Sequence, residues 1–255
     1  MYIIHMSNNN NDTAQNSIII TKETAHRLAK DIRDITKNPL NDMGIHYIHD
    51  DNNMLKGYAL IIGPENTLYE GGYFFFNIDF PCNYPHAPPK FTYLTNDGET
   101  RMNPNLYKNG KVCLSILNTW HGEPWSGCQT IRSVLLSICS TIFVNTPLLN
   151  EPGITKNNVD YDKYNAIIEH QTFKTGILQM LNNCPILSFK ETIQNHFSEN
   201  YKSILNRINE KCKDKKNKKA FHCNTKMYAM NIIINYPFLK KEFSKLNQLF
   251  KTKLK

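Results

Sequence analysis

Apolar residues first recur at helical spacing between Thr21 and Pro39. The apolar positions on this helix face are Ala25, Leu28, Ile32 and Ile35. The hydroxyl of Thr21 suits the N-cap position, and Pro39 ends the pattern because it cannot continue a helix. The sequence therefore predicts an N-terminal helix. The polar, Asn-rich residues before it predict a flexible segment over residues 1–19.

Four segments with the apolar content of β-strands follow the helix. They cover residues 45–50, 55–62, 73–80 and 90–95. In the third segment, large apolar residues alternate and so fall on one face of a sheet. These residues are Phe74, Phe76, Ile78 and Phe80. Because the links between successive segments are short, we expect an antiparallel meander of four strands.

Helical periodicity returns after a proline-rich segment over residues 81–89 and an irregular stretch. One predicted helix begins after Gln129, and another covers residues 161–181. The order of one helix, four strands and further helices predicts an α+β fold.

The C-terminal part of the chain differs from the rest in charge. Residues 185–255 hold 16 Lys and Arg against 5 Asp and Glu, whereas residues 1–184 hold 14 against 17. Apolar residues recur at helical spacing over 186–197 and over 239–250. We therefore expect a domain over residues 20–184, followed by a basic, helical extension over 185–255 that packs on it, because about 70 residues form only a marginal core alone.

Composition excludes several classes of protein. No stretch of 18 apolar residues is present, so no membrane span and no membrane partner are expected. The N-terminus has no basic stretch followed by a long apolar segment, which argues against a secretory signal. Seven cysteines without regular spacing suit a reducing compartment. The sequence thus favours an intracellular protein of the cytoplasm, the nucleus or both.

Candidate chemistry is concentrated in the irregular stretch that follows the fourth predicted strand. Asn105 lies eight residues before Cys113, with a short turn at residues 108–110 between them. This arrangement supplies a sulfur nucleophile and an amide side chain that can face one carbonyl carbon. Those are the two main groups that an enzyme with a thioester intermediate requires.

Several sequence blocks resemble the ubiquitin-conjugating enzyme family in order and spacing. They are Gly63-Pro64, Tyr69-Glu70-Gly71-Gly72, Tyr84-Pro85, Pro88-Pro89, Asn103-Pro104-Asn105, Gly110, Val112 to Leu117, Trp125-Ser126 and Val134 to Ile138. The resemblance covers about residues 20–181. The insertion 118–124 and the segment 150–153 look like the large Z-type subgroup. Membership implies an α+β domain with a four-stranded antiparallel sheet that accepts ubiquitin or a relative from an activating enzyme as a thioester. The domain then passes it to a lysine of a protein substrate or to a ligase.

The resemblance also implies roles for individual residues. Cys113 matches the thioester nucleophile, for which the alternative is a buried structural cysteine. Asn105 matches the residue that stabilises the oxyanion, and the alternative is support of the neighbouring loop. Glu151, with Asn150 beside it, matches by position a gate that orients the incoming lysine; the alternative is an ordinary turn residue. Asn103 departs from most of the family, which has His there.

Partner surfaces follow from the same resemblance. Four basic residues of the first helix match the region that contacts the activating enzyme, unless they form only a solvated face: Lys22, Arg27, Lys30 and Arg33. Pro85, His86 and Ser126 match the ligase-binding region. There, His86 and Gly127-Cys128 depart from the family pattern, which puts ordinary ligase binding in doubt. No cofactor is implied.

The extension leaves alternatives open. The run from Lys211 to Lys219 holds six lysines and reads as a solvated, mobile loop, as a contact for nucleic acid, or as a site of self-modification. Cys212, His222 and Cys223 match no common zinc site, so no metal is expected. A different class of function also remains for the whole chain: a non-catalytic binding module with the same fold.

Overall fold

The computed structural model describes residues 2–5 and 17–253, and it begins with a pair of strands. Strands β1 (Tyr2–His5) and β2 (Ser17–Ile20) form an antiparallel ribbon. Strand β1 and most of β2 lie in the segment over 1–19 that is predicted to be flexible, and both are rich in Ile, a β-branched residue that favours extended backbone. The remainder of that segment lies outside the described residues.

Helix α1 (Lys22–Lys37) begins and ends as its sequence predicts. The hydroxyl of Thr21 accepts a hydrogen bond from the backbone N–H of Thr24 at 3.0 Å. The helix ends at Lys37, two residues before Pro39. Leu28 and Ile35, two of the apolar residues of this helix, are buried.

A four-stranded antiparallel sheet forms the centre of the molecule. Its strands are β3 (Ile45–His49), β4 (Lys56–Ile62), β5 (Tyr73–Asp79) and β6 (Lys90–Tyr93), and neighbours in sequence are neighbours in the sheet. This order confirms the predicted meander. A bridge between Thr92 of β6 and Lys111 attaches the irregular stretch to the last strand. The sheet therefore fixes the position of the segment that contains Cys113.

Both faces of the sheet are covered at β5. The ring of Phe74 packs against Phe143 at 4.5 Å between centroids. On the opposite face, the ring of Phe75 lies 6.2 Å from that of Phe189, and the hydroxyl of Tyr73 contacts Nδ1 of His196 at 3.1 Å. The C-terminal extension therefore covers a face of the sheet.

Helices α2 (Ile131–Ile142) and α3 (Tyr161–Gln171) follow the irregular stretch. Helix α3 continues through a π-helical segment (Thr172–Gln179) into a last turn (Met180–Asn182). The missing side chain of Gly72 allows the π-helical segment to approach closely, because a Cβ at this position would lie 3.0 Å from Cγ2 of Thr172. This close approach seats the helix against the turn between β4 and β5.

The extension contains helices α4 (Lys190–Lys213) and α5 (Tyr236–Lys253), with strands β7 (Phe221–Thr225) and β8 (Met230–Ile234) between them. The two strands pair as an antiparallel hairpin. The prediction of a purely helical extension is therefore wrong. Alternate residues of β8 are buried, namely Met230, Ile232 and Ile234, which is the pattern of a strand with one covered face.

The lysine-rich run is also more ordered than the loop interpretation allows. Residues up to Lys213 complete α4, and a short 3₁₀ helix (Lys215–Asn217) follows. The ammonium group of Lys211 lies 2.5 Å from a carboxylate oxygen of Glu169 in α3. The interpretation as a mobile loop is therefore wrong for this part, because the run ends a helix that is held by an ion pair.

Aromatic and charged contacts attach the extension to the domain. Phe173 of the π-helical segment packs against Phe243 of α5 at 6.4 Å between centroids. Arg207 of α4 forms an ion pair with Glu70 at 3.1 Å.

Among the helices of residues 2–5 and 17–253, none is both long and apolar enough to cross a membrane.

His170 makes the attachment of the extension sensitive to pH. Its Nε2 accepts a hydrogen bond from the backbone N–H of Asn235 at 2.9 Å, which joins α3 to the end of β8. Burial lowers the pKa of His170 to about 4. Between pH 6.5 and 4 the unfolded chain therefore binds more protons at this site than the folded chain. The contribution of neutral, buried His170 to the free energy of unfolding is therefore present above pH 6.5 and is lost as the pH falls towards 4.

Lowering the pH from 7 to 4.5 is expected to reduce the free energy of unfolding by about 2–3 kcal/mol through His170 alone. Urea titrations at both pH values measure this difference. His170→Asn should show a smaller pH dependence than the parent chain, whereas His26→Asn, which changes an exposed residue, should not. Equal pH dependence in all three proteins would contradict the role of His170.

Candidate active site

Cys113 lies in a short extended segment that β6 and the preceding loop hold in place. Its backbone N–H donates to the carbonyl of Asn105 at 2.9 Å, and an isolated bridge joins Leu106 to Val112. The residue is only 1% exposed. Since a nucleophile must touch the acyl carbon that it attacks, Cys113 could act as a nucleophile only if the residues that cover it moved aside.

Asn105 is directly linked to Cys113. Its Nδ2 donates to the backbone carbonyl of Cys113 at 2.7 Å, and the side chain is buried. Its Oδ1 has no hydrogen-bond partner among the residues that the structure describes. In this conformation the amide supports the loop, one of its two expected roles. The amide that the resemblance assigns to an oxyanion therefore lies beside Cys113.

Asn103 fixes the loop in which Asn105 lies. Its Nδ2 donates to the hydroxyl of Tyr69 at 3.1 Å and to the carbonyl of Ile142 at 2.9 Å, while its Oδ1 accepts from the backbone N–H of Asn105 at 2.9 Å. All of these groups are buried, where paired hydrogen bonds contribute most. An Asn therefore satisfies the packing of this loop.

Asn150 and Glu151 lie near the same loop. Asn150 ends a 3₁₀ helix (Pro147–Asn150), and its Nδ2 donates to the carbonyl of Thr141 at 2.8 Å. The same Nδ2 lies 3.4 Å from Oδ1 of Asn103. The carboxylate of Glu151 accepts a hydrogen bond from the hydroxyl of Tyr228 at 2.5 Å. Tyr228 belongs to the extension, so the predicted gate residue has a partner that its local sequence does not indicate.

Arg101 is a site residue that the sequence analysis did not identify. Its guanidinium donates to the carbonyls of Asn103 at 3.2 Å and Pro104 at 2.6 Å, and it lies 3.2 Å from the centre of the Tyr107 ring. A positive charge therefore holds the backbone just before Asn105. An arginine beside the Asn-Pro-Asn block was the only local signal, and it does not by itself indicate this contact.

The insertion after Cys113 is attached to the backbone on both sides of that residue. The hydroxyl of Thr119 donates to the carbonyl of Val112 and accepts from the N–H of Leu114, both at 2.9 Å. An open groove of about 530 Å³ runs beside this segment, lined by residues that include Val112, Leu117 and Thr119. The groove leads along the chain that flanks the thiol.

The basic residues of α1 divide into two groups. Lys22, Lys30 and Arg33 are exposed and available to a partner. Arg27 instead forms an ion pair with Asp31 at 3.0 Å and donates to the backbone carbonyls of Gly127 and Gln129. The assignment of Arg27 to a partner surface is therefore corrected, because its guanidinium fastens α1 to the loop before α2.

The predicted ligase-binding residues also differ in exposure. His86 and Ser126 are exposed. Pro85 is buried, and its carbonyl accepts a hydrogen bond from Nε1 of Trp125 at 2.7 Å. Pro85 therefore has little surface to offer a partner and instead positions the loop that carries His86.

The cysteines of the extension do not come together with His222. Cys223 is buried, whereas His222 is exposed on the alternate face of β7 and contacts Oδ1 of Asn231 at 3.0 Å. Within the part of the chain that the structure describes, no group of three His, Cys, Asp or Glu side chains is arranged to hold a metal ion.

Comparison with known proteins places this site in a family. A family model described as "Ubiquitin-conjugating enzyme" matches residues 27–175. The ubiquitin-conjugating enzyme E2 Z of Xenopus tropicalis is 39% identical over 197 residues, covering 75% of this chain and 60% of that protein. The E2 Z of Danio rerio is 44% identical over 165 residues, covering 62% and 49%.

A third relative is much longer than this chain. The human dual E2 ubiquitin-conjugating enzyme/E3 ubiquitin-protein ligase BIRC6 is 38% identical over 186 residues, which cover 68% of this chain and 4% of that protein. The chain spans about half the length of the E2 Z relatives that it matches. The family match includes the sheet, Asn105 and Cys113 and extends over more than half of the chain. These comparisons confirm the predicted family: the chain belongs to the ubiquitin-conjugating enzyme family.

Proposed function

We propose that the chain accepts ubiquitin or a ubiquitin-like protein from an activating enzyme as a thioester on Cys113. It then passes the modifier to a lysine of a protein substrate or to a ligase. The observation that carries this proposal is the pairing of Cys113 with Asn105 through two hydrogen bonds, of 2.7 and 2.9 Å, inside the region that matches the family.

The first step is an exchange between two thioesters. The thiolate of Cys113 attacks the carbonyl carbon at the end of the modifier, a new S–C bond forms, and the thiolate of the activating enzyme leaves. One thioester replaces another, so the step is close to balanced in free energy. The seven cysteines of the chain are free thiols, which supports an intracellular, reducing location.

The second step forms an amide. A lysine amine attacks the thioester, an N–C bond forms, the thiolate of Cys113 leaves, and the amine loses a proton. The carbonyl oxygen carries negative charge in the transition state, which Nδ2 of Asn105 stabilises after it turns from the carbonyl of Cys113. The carboxylate of Glu151 orients the amine and favours its loss of a proton.

The exposed surfaces supply places for the partners. Lys22, Lys30 and Arg33 form the basic face of α1 for the activating enzyme, and His86 with Ser126 forms the contact for a ligase. The exposed lysines between Lys213 and Lys219 are available for self-modification.

Incubation with ATP and a panel of activating enzymes and modifiers tests the proposal. We expect one combination to give an adduct that a reducing agent removes. Cys113→Ser should give an adduct that resists the reducing agent, because an oxygen ester replaces the thioester. Cys82→Ser changes an exposed cysteine outside the site and should behave like the parent chain. Absence of any adduct across the panel would favour a non-catalytic binding module.

A further inference from the structure

The turn of the β7–β8 hairpin has an unusual backbone conformation. Tyr228 and Ala229 have φ values of 62° and 46°, in the left-handed region that residues other than Gly rarely adopt. Such strain persists only where the surrounding contacts determine the conformation. The backbone N–H of Met227 donates to Oδ2 of Asp160 at 2.8 Å, and the hydroxyl of Thr225 donates to the carbonyl of Met227 at 2.8 Å. The turn is thus fixed against the N-terminus of α3.

This conformation directs the ring of Tyr228 towards the candidate active site. The hydroxyl donates to Oε2 of Glu151 at 2.5 Å. The ring lies 5.0 Å from the guanidinium carbon of Arg101 and 6.0 Å from the ring of Tyr164. Burial, and next the hydrogen bond to Glu151, raise the pKa of Tyr228 above its ordinary value, so the hydroxyl keeps the proton that it donates.

Both polar partners of Tyr228 act on the site. Glu151 is the carboxylate that we place beside the incoming lysine. The guanidinium of Arg101 donates to the two carbonyls that come directly before Asn105. The backbone N–H of Arg101 donates to Sδ of Met230 at 3.3 Å. The hairpin of the extension therefore contacts the loops on which Glu151 and Asn105 lie.

We propose that Tyr228 is a positioning residue through which the C-terminal extension orients Glu151 for transfer to an amine. The inference rests on the proposed function of Cys113. The phenol holds one carboxylate oxygen and leaves the other to accept from the lysine. Loading of Cys113 involves no amine, so the contact acts on the second step alone.

Single-turnover assays with the full chain test the inference. Each variant is first loaded, and the thioester is then offered either free lysine or a small thiol. Tyr228→Phe should load like the parent chain and lose about 10-fold in the rate of transfer to lysine, the effect of one hydrogen bond to a charged group. Transfer to the thiol should not change, because a thiol does not need the carboxylate for orientation.

A matched control is available in the first hairpin of the sheet. Tyr58 also donates to a carboxylate, that of Asp50, at 2.7 Å, and Tyr58→Phe should match the parent chain in every step. In a Glu151→Gln background, Tyr228→Phe should have little further effect on transfer to lysine.

Three results would overturn the inference. Equal slowing of the lysine and thiol reactions would mean that Tyr228 only supports the fold of the site. Faster transfer to lysine would mean that it restrains Glu151, and an unchanged rate would mean that the contact has no role. If the parent chain itself fails to load, the proposed function fails instead.

Discussion

Asn105→Ala is expected to leave the loading of Cys113 nearly unchanged and to slow transfer to lysine by about 100-fold. Both reactions pass through a tetrahedral oxyanion, but loading exchanges similar thiolates, whereas the amine must also lose a proton before the thiolate of Cys113 leaves, so transfer depends more on stabilisation of this state. The donor that would stabilise this state, Nδ2 of Asn105, lies 2.7 Å from the carbonyl oxygen of Cys113. Pulse-chase assays that separate loading from discharge to free lysine measure both rates.

Asn103→Ala is the matched control for this prediction. Asn103 supports the same loop through Tyr69 and Ile142. If Asn105 acted only as loop support, both variants would slow loading and transfer to a similar extent. A selective loss of transfer in Asn105→Ala would assign the oxyanion role to its amide.

Phe189→Ala is expected to lower the free energy of unfolding by about 3–5 kcal/mol. Phe189 is 1% exposed, and its ring packs on Phe75 of β5 from the side of the extension. Removing the ring leaves a cavity at the junction between the sheet and the extension. Urea titration measures the loss. Relative to the parent chain, the rate of hydrogen exchange should increase more in α4 than in α2, because the cavity lies where α4 is attached.

Leu187→Ala provides the comparison, since Leu187 and Phe189 lie in one short 3₁₀ helix (Leu187–Phe189) but Leu187 is 75% exposed. Its replacement should change the free energy of unfolding by less than about 0.5 kcal/mol. Similar small losses in both variants would contradict the packing of the extension on the sheet.

The sheet was predictable because local patterns determine it. Strands β3 to β6 have edges within about two residues of their predicted bounds. Their apolar residues are close in sequence, and short links allow only neighbouring pairs. The contact between Cys113 and Asn105 was predictable for a similar reason, because eight residues and a turn separate them.

The hairpin of the extension was missed because its turn lacks the usual residues. Cys223, Thr225, Met230 and Ile232 are buried at alternate positions as in a strand. The polar residues between them, His222, Asn224 and Asn231, carried this signal in the sequence. The turn, however, contains Tyr228 and Ala229 at positive φ, where Gly or Asn is expected. Tertiary contacts with Asp160 and Arg101 hold the turn in a conformation that its local sequence does not favour.

The supporting contacts of the site were not predictable from local sequence. Arg101 and Tyr228 lie 127 residues apart, and Tyr228 and Glu151 lie 77 apart. Only packing of the extension on the domain brings them together. The contacts of Arg27 were not predictable either. Its place on a basic helix face suggested a partner contact, but its guanidinium holds the loop before α2.

The position of the bond to the modifier, located by mass spectrometry, tests whether the sulfur of Cys113 carries the modifier. The stable adduct of Cys113→Ser, formed with activating enzyme and ATP, is digested and sequenced by tandem mass spectrometry. We expect an ester on the side chain of residue 113. An ester on Ser115 or Ser126, or a thioester on another cysteine that persists in this variant, would contradict it.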